Sequence, residues 1–354
     1  MSIAQAPAVT AVPARRRGGF LGGAGSRFVL LGCLLGVLAV AIVLSLVFGS
    51  KSVPMHDAVA ALFHFDPNNP DQVVVHSLRI PRTVIGVLAG LALGLAGAVM
   101  QGLSRNPLAD PGILGVNAGA ILAVLIAVQY FNVVSLLGYV WYAFAGAGIA
   151  VVVVYAVASR GRDGATPIKL ALAGTAITAL LTSIATMVEL ADPRTVEVYR
   201  SWALGSLSGR GAAVANEVWP FVLVGAVLAM ATPRMLNALA LGDDVARALG
   251  QHVGRARALT GVAVMILAGA ATAAAGPIVF LGLTVPHIAR ALVGADYRWI
   301  LPYSAVIAPI LLLVADVIGR LVVRPGELQV GVVTVLLGAP VFVFLVRRKN
   351  LASL

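Results

Sequence analysis

The sequence predicts an all-α, polytopic membrane protein of ten transmembrane helices with both termini in the cytoplasm. Three observations predict it. Of 354 residues, 60% are hydrophobic and only 11% are charged, and the mean hydropathy is +0.98. A soluble domain carries roughly 25% charged residues, so this chain cannot cover itself with a water-facing surface. The apolar residues come in runs of about 20, long enough for a helix to cross hydrocarbon and without the alternation of a barrel strand. The basic residues gather in the connections on one side of the runs, as the positive-inside rule describes. A backbone in lipid must satisfy its own hydrogen bonds, which leaves helices.

Residues 1–26 are rich in Ala, Pro, Gly and Arg, with Arg15, Arg16 and Arg17 adjacent. They read as a disordered basic cytoplasmic tail. Residues 27–350 read as one ten-helix domain. The first run, 28–48, is longer than a secretory h-region of about 7–15 residues and reads as a retained helix. The others follow at about 83–103, 113–129, 135–159, 168–188, 214–231, 258–275, 278–293, 300–323 and 330–346. The eighth is short and interrupted by Pro286, His287 and Arg290. It is kept as a span because without it Arg347, Arg348 and Lys349 would fall outside. With the N-terminus inside, the inner segments hold Arg105, then Arg160, Arg162 and Lys169, then Arg234, Arg247, Arg255 and Arg257, then Arg290 and Arg298. They also hold Asp110, Asp163, Asp243, Asp244 and Asp296, whereas the outer segments are nearly balanced in charge. The net charge of +11 therefore reflects membrane topology and not nucleic-acid binding.

Two loops are longer than a simple turn. The outer stretch 49–80 is polar and carries Pro54, Pro67 and Pro70. The inner stretch 232–257 reads as two short helices, 234–241 and 243–249, broken at Gly242 and Gly250, with Asp243 as an N-cap suited to the helix dipole. Such a structured element is either a docking surface or an amphipathic linker resting on headgroups. Spacing alone favours neither.

Polar residues inside the runs narrow the chemistry. Thr175, Thr178, Thr182, Thr186 and Glu189 are spaced 3, 4, 4 and 3 apart, which puts them on one helix face. They line a polar path, or the hydroxyls bond their own backbone or a neighbouring helix. Gly86, Gly90, Gly94, Gly97 and Gly102 in the second run mark close helix packing. Asp316 and Arg320 sit at i, i+4 and can pair, with Arg324 one turn on. Arg79 and Arg82 flank Pro81 at the outer start of the second run. These four arginines either snorkel at helix ends or form a docking site for an acidic partner.

Other chemistries lack their residues. The single cysteine, Cys33, permits no disulfide within the chain, and no two of the five histidines have helical ligand spacing, so no metal site is expected. There is no G-x-x-x-x-G-K-[ST] sequence for nucleotide, and no hydrolase or kinase constellation. Carboxylates stay near segment ends, which weighs against an ion-coupled carrier with charges at the midplane. A membrane scaffold without transport is a third alternative.

The stretch 79–120, RIPRTVIGVLAGLALGLAGAVMQGLSRNPLADPGILGVNAGA, closely resembles the FecCD-type permeases, the membrane subunits of ABC importers for ferric siderophores, haem and cobalamin. LALGDDVARALG at 239–250, GPIVFLGLTVPHIAR at 276–290 and GELQVGVVTVLLGAPVFVFLV at 326–346 resemble further family segments in the same order. The resemblance runs over roughly 55–348. It implies ten helices per subunit and a path between two permease subunits, identical or homologous. It also implies two cytoplasmic ATPase subunits that carry ATP and Mg below, and an extracytoplasmic binding protein that docks above. It further implies that Leu241, Gly242, Asp243, Asp244, Ala246, Leu249 and Gly250 couple to the ATPase. Arg79, Arg82 and Arg320, with Arg324 beside them, would meet the binding protein, and the fifth helix would line the path. Ferric siderophore is the cargo expected, with cobalamin or haem as the alternative. Two features depart from the pattern: the first 26 residues have no counterpart, and Gln329 stands where the family commonly has proline.

Overall fold

A computed structural model of the chain describes residues 23–133, 135–161, 165–192 and 199–347. Most of the basic tail (1–22), Arg162, Asp163, Arg348 and Lys349 lie outside the described residues. Among the described residues every regular element is a helix. In chain order they are α1 (Ala24–Val47), α2 (Met55–Phe63), α3 (Pro70–Val74), α4 (Ile80–Ser104), α5 (Val116–Phe131), α6 (Leu136–Ala158), α7 (Pro167–Ala191), α8 (Ala212–Met230), α9 (Pro233–Ala240), α10 (Asp243–Ala248), α11 (Val253–Ala275), α12 (Leu281–Val293), α13 (Tyr297–Val322) and α14 (Val330–Arg347). Among the described residues seven helices are long and apolar enough to cross a membrane, and α5, α12 and α14 are shorter apolar helices. Together they supply the ten spans expected, with boundaries within a few residues of the apolar runs.

Start signals act where the sequence places them. Thr166 accepts a hydrogen bond from Lys169 N ahead of Pro167, Ser135 from Gly138 N and Asp296 from Arg298 N. Each satisfies an orphan amide of a first turn. The outer stretch 49–80 is more ordered than its polarity suggests. It holds α2, and α3 runs through a π-helical turn, Val75–Arg79, straight into α4. Asn69 starts that run by accepting from Asp71 N and Gln72 N.

α4 occupies the centre and packs against α8, α11, α12 and α13. Its glycines make this possible. A Cβ on Gly90 would lie 2.6 Å from Pro309 Cα, and one on Gly97 would lie 1.9 Å from the Gly282 carbonyl oxygen. Only hydrogen at these positions lets the backbones of α13 and α12 approach so closely, and dispersion between close backbones is what holds helices together in lipid. The ends of α1, α4 and α13 that alternating spans place on the outer side meet one another, through Arg320 to Ser45 O and Arg82 to Asp316. At the opposite end Tyr303 Oη donates to Arg27 O at 2.6 Å, joining the starts of α1 and α13.

Candidate functional site

Three polar assemblies stand out: one at the outer end, one along α7 and one at the inner end. At the outer end, α1 terminates and leaves its last carbonyls without intrahelical partners. The arginines of other helices supply those partners. Arg79 Nη1 donates to Leu46 O at 2.8 Å and also to Val47 O, while its Nη2 donates to Lys51 O. Arg320 Nη1 donates to Ser45 O and Phe48 O at 3.0 and 2.9 Å. Arg324 Nη2 donates to Gly49 O at 2.7 Å. Cations at a helix C-terminus also meet the negative end of its dipole.

Arg82 is held differently. Its Nε and Nη2 donate to Asp316 at 3.0 and 2.8 Å, and its Nη1 to Glu327 Oε2 at 2.7 Å. Arg320 pairs with Asp316 at 3.0 Å, as the i, i+4 spacing predicts. Ser45 Oγ accepts from Arg320 Nη2 and shares a 2.8 Å hydrogen bond with Thr83 Oγ1. Arg79, Arg82 and Arg320 are buried, whereas Arg324 is exposed. Burial pushes the Glu327 carboxyl up, but the hydrogen bond and charge of Arg82 outweigh it and hold the group below the usual range.

Asp316 and Glu327 face the four arginines, and the Asp71 carboxylate also acts on Arg79. A cavity of about 370 Å³ opens beside them, lined by Arg79, Arg82, Arg320 and Glu327 and by Arg210. Sequence reasoning passed over Arg210. It lies between α7 and α8, its Nε donates to Ser206 O at 3.2 Å, and burial pushes its guanidinium down to about 10. Only its unusual setting, an arginine among Ser206, Ser208, Gly209 and Gly211, marks it in the sequence.

Along α7 the predicted stripe is real as a face. Thr175, Thr182 and Thr186 are exposed on the single chain, and Thr178 and Glu189 are partly so. Thr175 Oγ1 donates to Ala171 O at 2.9 Å, so one hydroxyl satisfies itself on its own backbone. Glu189 accepts a hydrogen bond from Tyr199 Oη. Thr175 and Thr178 line a second cavity, about 360 Å³, together with Asp110, Gly112, Ile113 and Phe280. Burial pushes the Asp110 carboxyl up to about 6, against the lowering effect of the hydrogen bond it accepts from Gly112 N at 2.8 Å.

At the inner end, α9 and α10 form the two short helices expected. Gly242 and Gly250, at φ of +104° and +80°, supply the left-handed breaks between and after them. Leu241 and Leu249, each 62% exposed, and Val245 at 45% present an apolar edge outward at four-residue spacing. Asp244 is exposed and bonds Arg247 at 2.9 Å. Ala246 points the other way, fully buried against a small cluster with Ala238, Leu239, Val253 and Ala256. Asp243 does not cap the helix as predicted; Gly242 holds the cap position, with no side-chain cap bond. The Asp243 carboxylate instead accepts from Arg257 Nη2 at 2.8 and 3.0 Å and from Arg105 Nη2. Two charged donors outcompete backbone amides for one carboxylate. Among the described residues no cluster of His, Cys, Asp and Glu could hold a metal ion.

A bundle of ten apolar helices defines a multi-pass membrane protein. Residues 37–348 match the FecCD transport family, and the chain belongs to that family. It is similar to the ferric enterobactin transport system permease protein FepD of Escherichia coli, 45% identical over 92% of this chain and 97% of that one. The probable siderophore transport system permease protein YfiZ of Bacillus subtilis is 38% identical over the same shares. Among solved structures, an inward-facing conformation described as a metal-chelate type ABC transporter superposes with a TM-score of 0.79 at 25% identity, covering 90% of this chain and 98% of that one. These relatives are membrane permeases, and the chain is a multi-pass protein of the cell membrane.

Proposed function

We propose that this chain is the permease subunit of an ABC importer for a ferric siderophore, with hydrolysis of Mg-ATP in a separate subunit. The 45% identity to a ferric enterobactin permease across 92% of the chain carries the reading of cargo class. Cobalamin or haem is the alternative within the family. In this reading two ATPase subunits bind below, a binding protein docks above, and a second permease subunit, identical or homologous, completes the path.

The geometry supports each part. A face of exposed threonines ending in Glu189 is costly against lipid, so a second subunit across a water-filled path is its natural cover. That makes Thr175, Thr178, Thr182, Thr186 and Glu189 path-lining groups. The apolar edge of Leu241, Val245 and Leu249, set by Gly242 and Gly250, suits a groove on the ATPase. Ala246 supports that edge from inside, Asp243 anchors it and Asp244 flanks it on the exposed side. At the outer end the excess of arginine over carboxylate around a 370 Å³ cavity suits acidic side chains of the binding protein. Arg324 is accessible, and Arg79, Arg82 and Arg320 set the field of the cavity from within.

The test is uptake of radio-iron as ferric siderophores by iron-starved cells, comparing a deletion strain with its complemented twin. Loss of uptake for one siderophore class, restored by the gene, is the expected result. Normal uptake of every class overturns the cargo and turns attention to cobalamin and haem.

A further inference from the structure

The inner-end ion cluster joins three elements of the chain. Asp243 begins α10, Arg105 follows the last residue of α4, and Arg257 lies in the first turns of α11. α9 is anchored independently. Asn237 Nδ2 donates to Asp296 at 2.7 Å, and Asn237 Oδ1 accepts from Tyr297 N at 3.0 Å. α10 is held to the bundle by a small apolar cluster and by the Asp243 carboxylate.

Arg105 opens a segment of two consecutive hydrogen-bonded turns. Asn106 Oδ1 accepts from Leu108 N at 2.9 Å, Ala109 N donates to Asn106 O at 3.1 Å, and Asp110 holds both Gly112 N and, through its carbonyl, Ile113 N at 3.0 Å. At its far end the segment meets α7. A Cβ on Gly174 would lie 1.8 Å from the Ile113 carbonyl oxygen, so Ile113 and α7 are in direct backbone contact. Gly174 immediately precedes Thr175, and the cavity shared by Thr175, Thr178, Asp110 and Ile113 lies at that contact.

We propose that Asp243 is a positioning residue that transmits movement of α10 to the α7 face, through its ion pair with Arg105 and the hydrogen-bonded turns of 105–115. Arg257 fixes the carboxylate so that it pulls on Arg105 in one direction. The proposal rests on the reading of α9 and α10 as the ATPase contact. A pair of charge-assisted hydrogen bonds suits this task, because such bonds are short and directional. The apolar cluster beside them can slide without loss. A link that both partners bias in two states is what coupling requires.

The test uses the permease purified with its ATPase and reads distances between spin labels. Cys33, the one native cysteine, is exposed and is first replaced by Ser. Labels go at Ala248 on α10, at Leu172 on α7, and at Leu223 on α8 as reference; all three side chains are exposed. Distances are compared without nucleotide and after trapping with Mg-ATP and vanadate. With Asp243 in place, both the 248–223 and the 172–223 distances are expected to shift. In Asp243→Asn, and separately in Arg105→Gln, the 248–223 shift stays and the 172–223 shift is lost, while Asp243→Glu recovers it. A 172–223 shift that survives in both variants overturns the relay. An absent 248–223 shift in the parent overturns the ATPase-contact reading instead. Loss of ATPase co-purification in Asp243→Asn places the residue in the partner contact and also overturns the relay.

Discussion

Arg82 on α4 and Asp316 on α13 form a buried, two-pronged ion pair at 2.8 and 3.0 Å, with Arg320 closing on the same carboxylate at 3.0 Å. Asp316 is completely buried, so its charge is compensated only by these guanidinium groups. Removing one partner of a buried pair costs about 3–5 kcal/mol, because the other is left uncompensated. Asp316→Ala should therefore lower the thermal unfolding temperature of the detergent-purified protein markedly. The measurement is fluorescence-detected unfolding. A shift below that of an exposed control such as Asp244→Ala would show that the pair contributes nothing.

The central packing predicts a steeper response to size than to polarity. A Cβ on Gly97 meets the Gly282 carbonyl at 1.9 Å, and backbone cannot move aside as a side-chain tip can. Gly97→Leu should abolish folded protein in the membrane, scored by immunoblot and by a monodisperse gel-filtration peak. Gly254→Leu, with open space around it, should leave both unchanged.

Asp110 gives a prediction with a definite sign. Its carboxyl titrates at about 6 in the folded chain against 3.8 ordinarily. The native state thus binds more protons than the unfolded state between those values. Its stability falls as pH rises through that window and is highest below it. Asp110→Asn keeps an acceptor for Gly112 N and removes the charge. The variant should lose this part of the pH dependence between pH 4 and 6, measured by thermal unfolding across that range. An unchanged slope would exclude Asp110 as its source.

The docking role separates by exposure. Arg324 is exposed and, among the described residues, gives one hydrogen bond, to Gly49 O. Arg324→Glu should weaken binding of the cognate binding protein about tenfold, mostly through association rate and with loss of salt dependence, as for a rim charge. Surface plasmon resonance at two ionic strengths reads this. Equal affinity at both, in parent and variant, would remove Arg324 from the interface.

The α7 stripe can be tested without disturbing the bundle. Thr182 and Thr186 are exposed on the single chain, and Val is close to Thr in shape. The double variant Thr182→Val and Thr186→Val should fold normally and reduce uptake several-fold if the face lines a path. Unchanged uptake would leave those hydroxyls with a packing role.

The ten helices, their approximate limits and the two short helices at 233–248 were legible in the sequence by itself. Apolar run length and the breaks at Gly242 and Gly250 act within a few residues, and lipid leaves the backbone no other solution. The stripe on α7 was legible for the same reason, since a helical face is a local repeat. The i, i+4 pair of Asp316 and Arg320 was also within reach. What only the tertiary structure decided is where charges separated along the chain find each other. Arg82 and Asp316 lie 234 residues apart, and Arg105 and Asp243 lie 138 apart. Asp243 looked like a helix cap because its neighbours suit one. It serves instead as an acceptor for two arginines, because the order of helices in the bundle brings those donors to it. Arg79 and Arg320 likewise became partners for the last carbonyls of α1, and Arg324 for that of Gly49 just beyond it, roles fixed by which helix ends share one side of the membrane and which of them pack together.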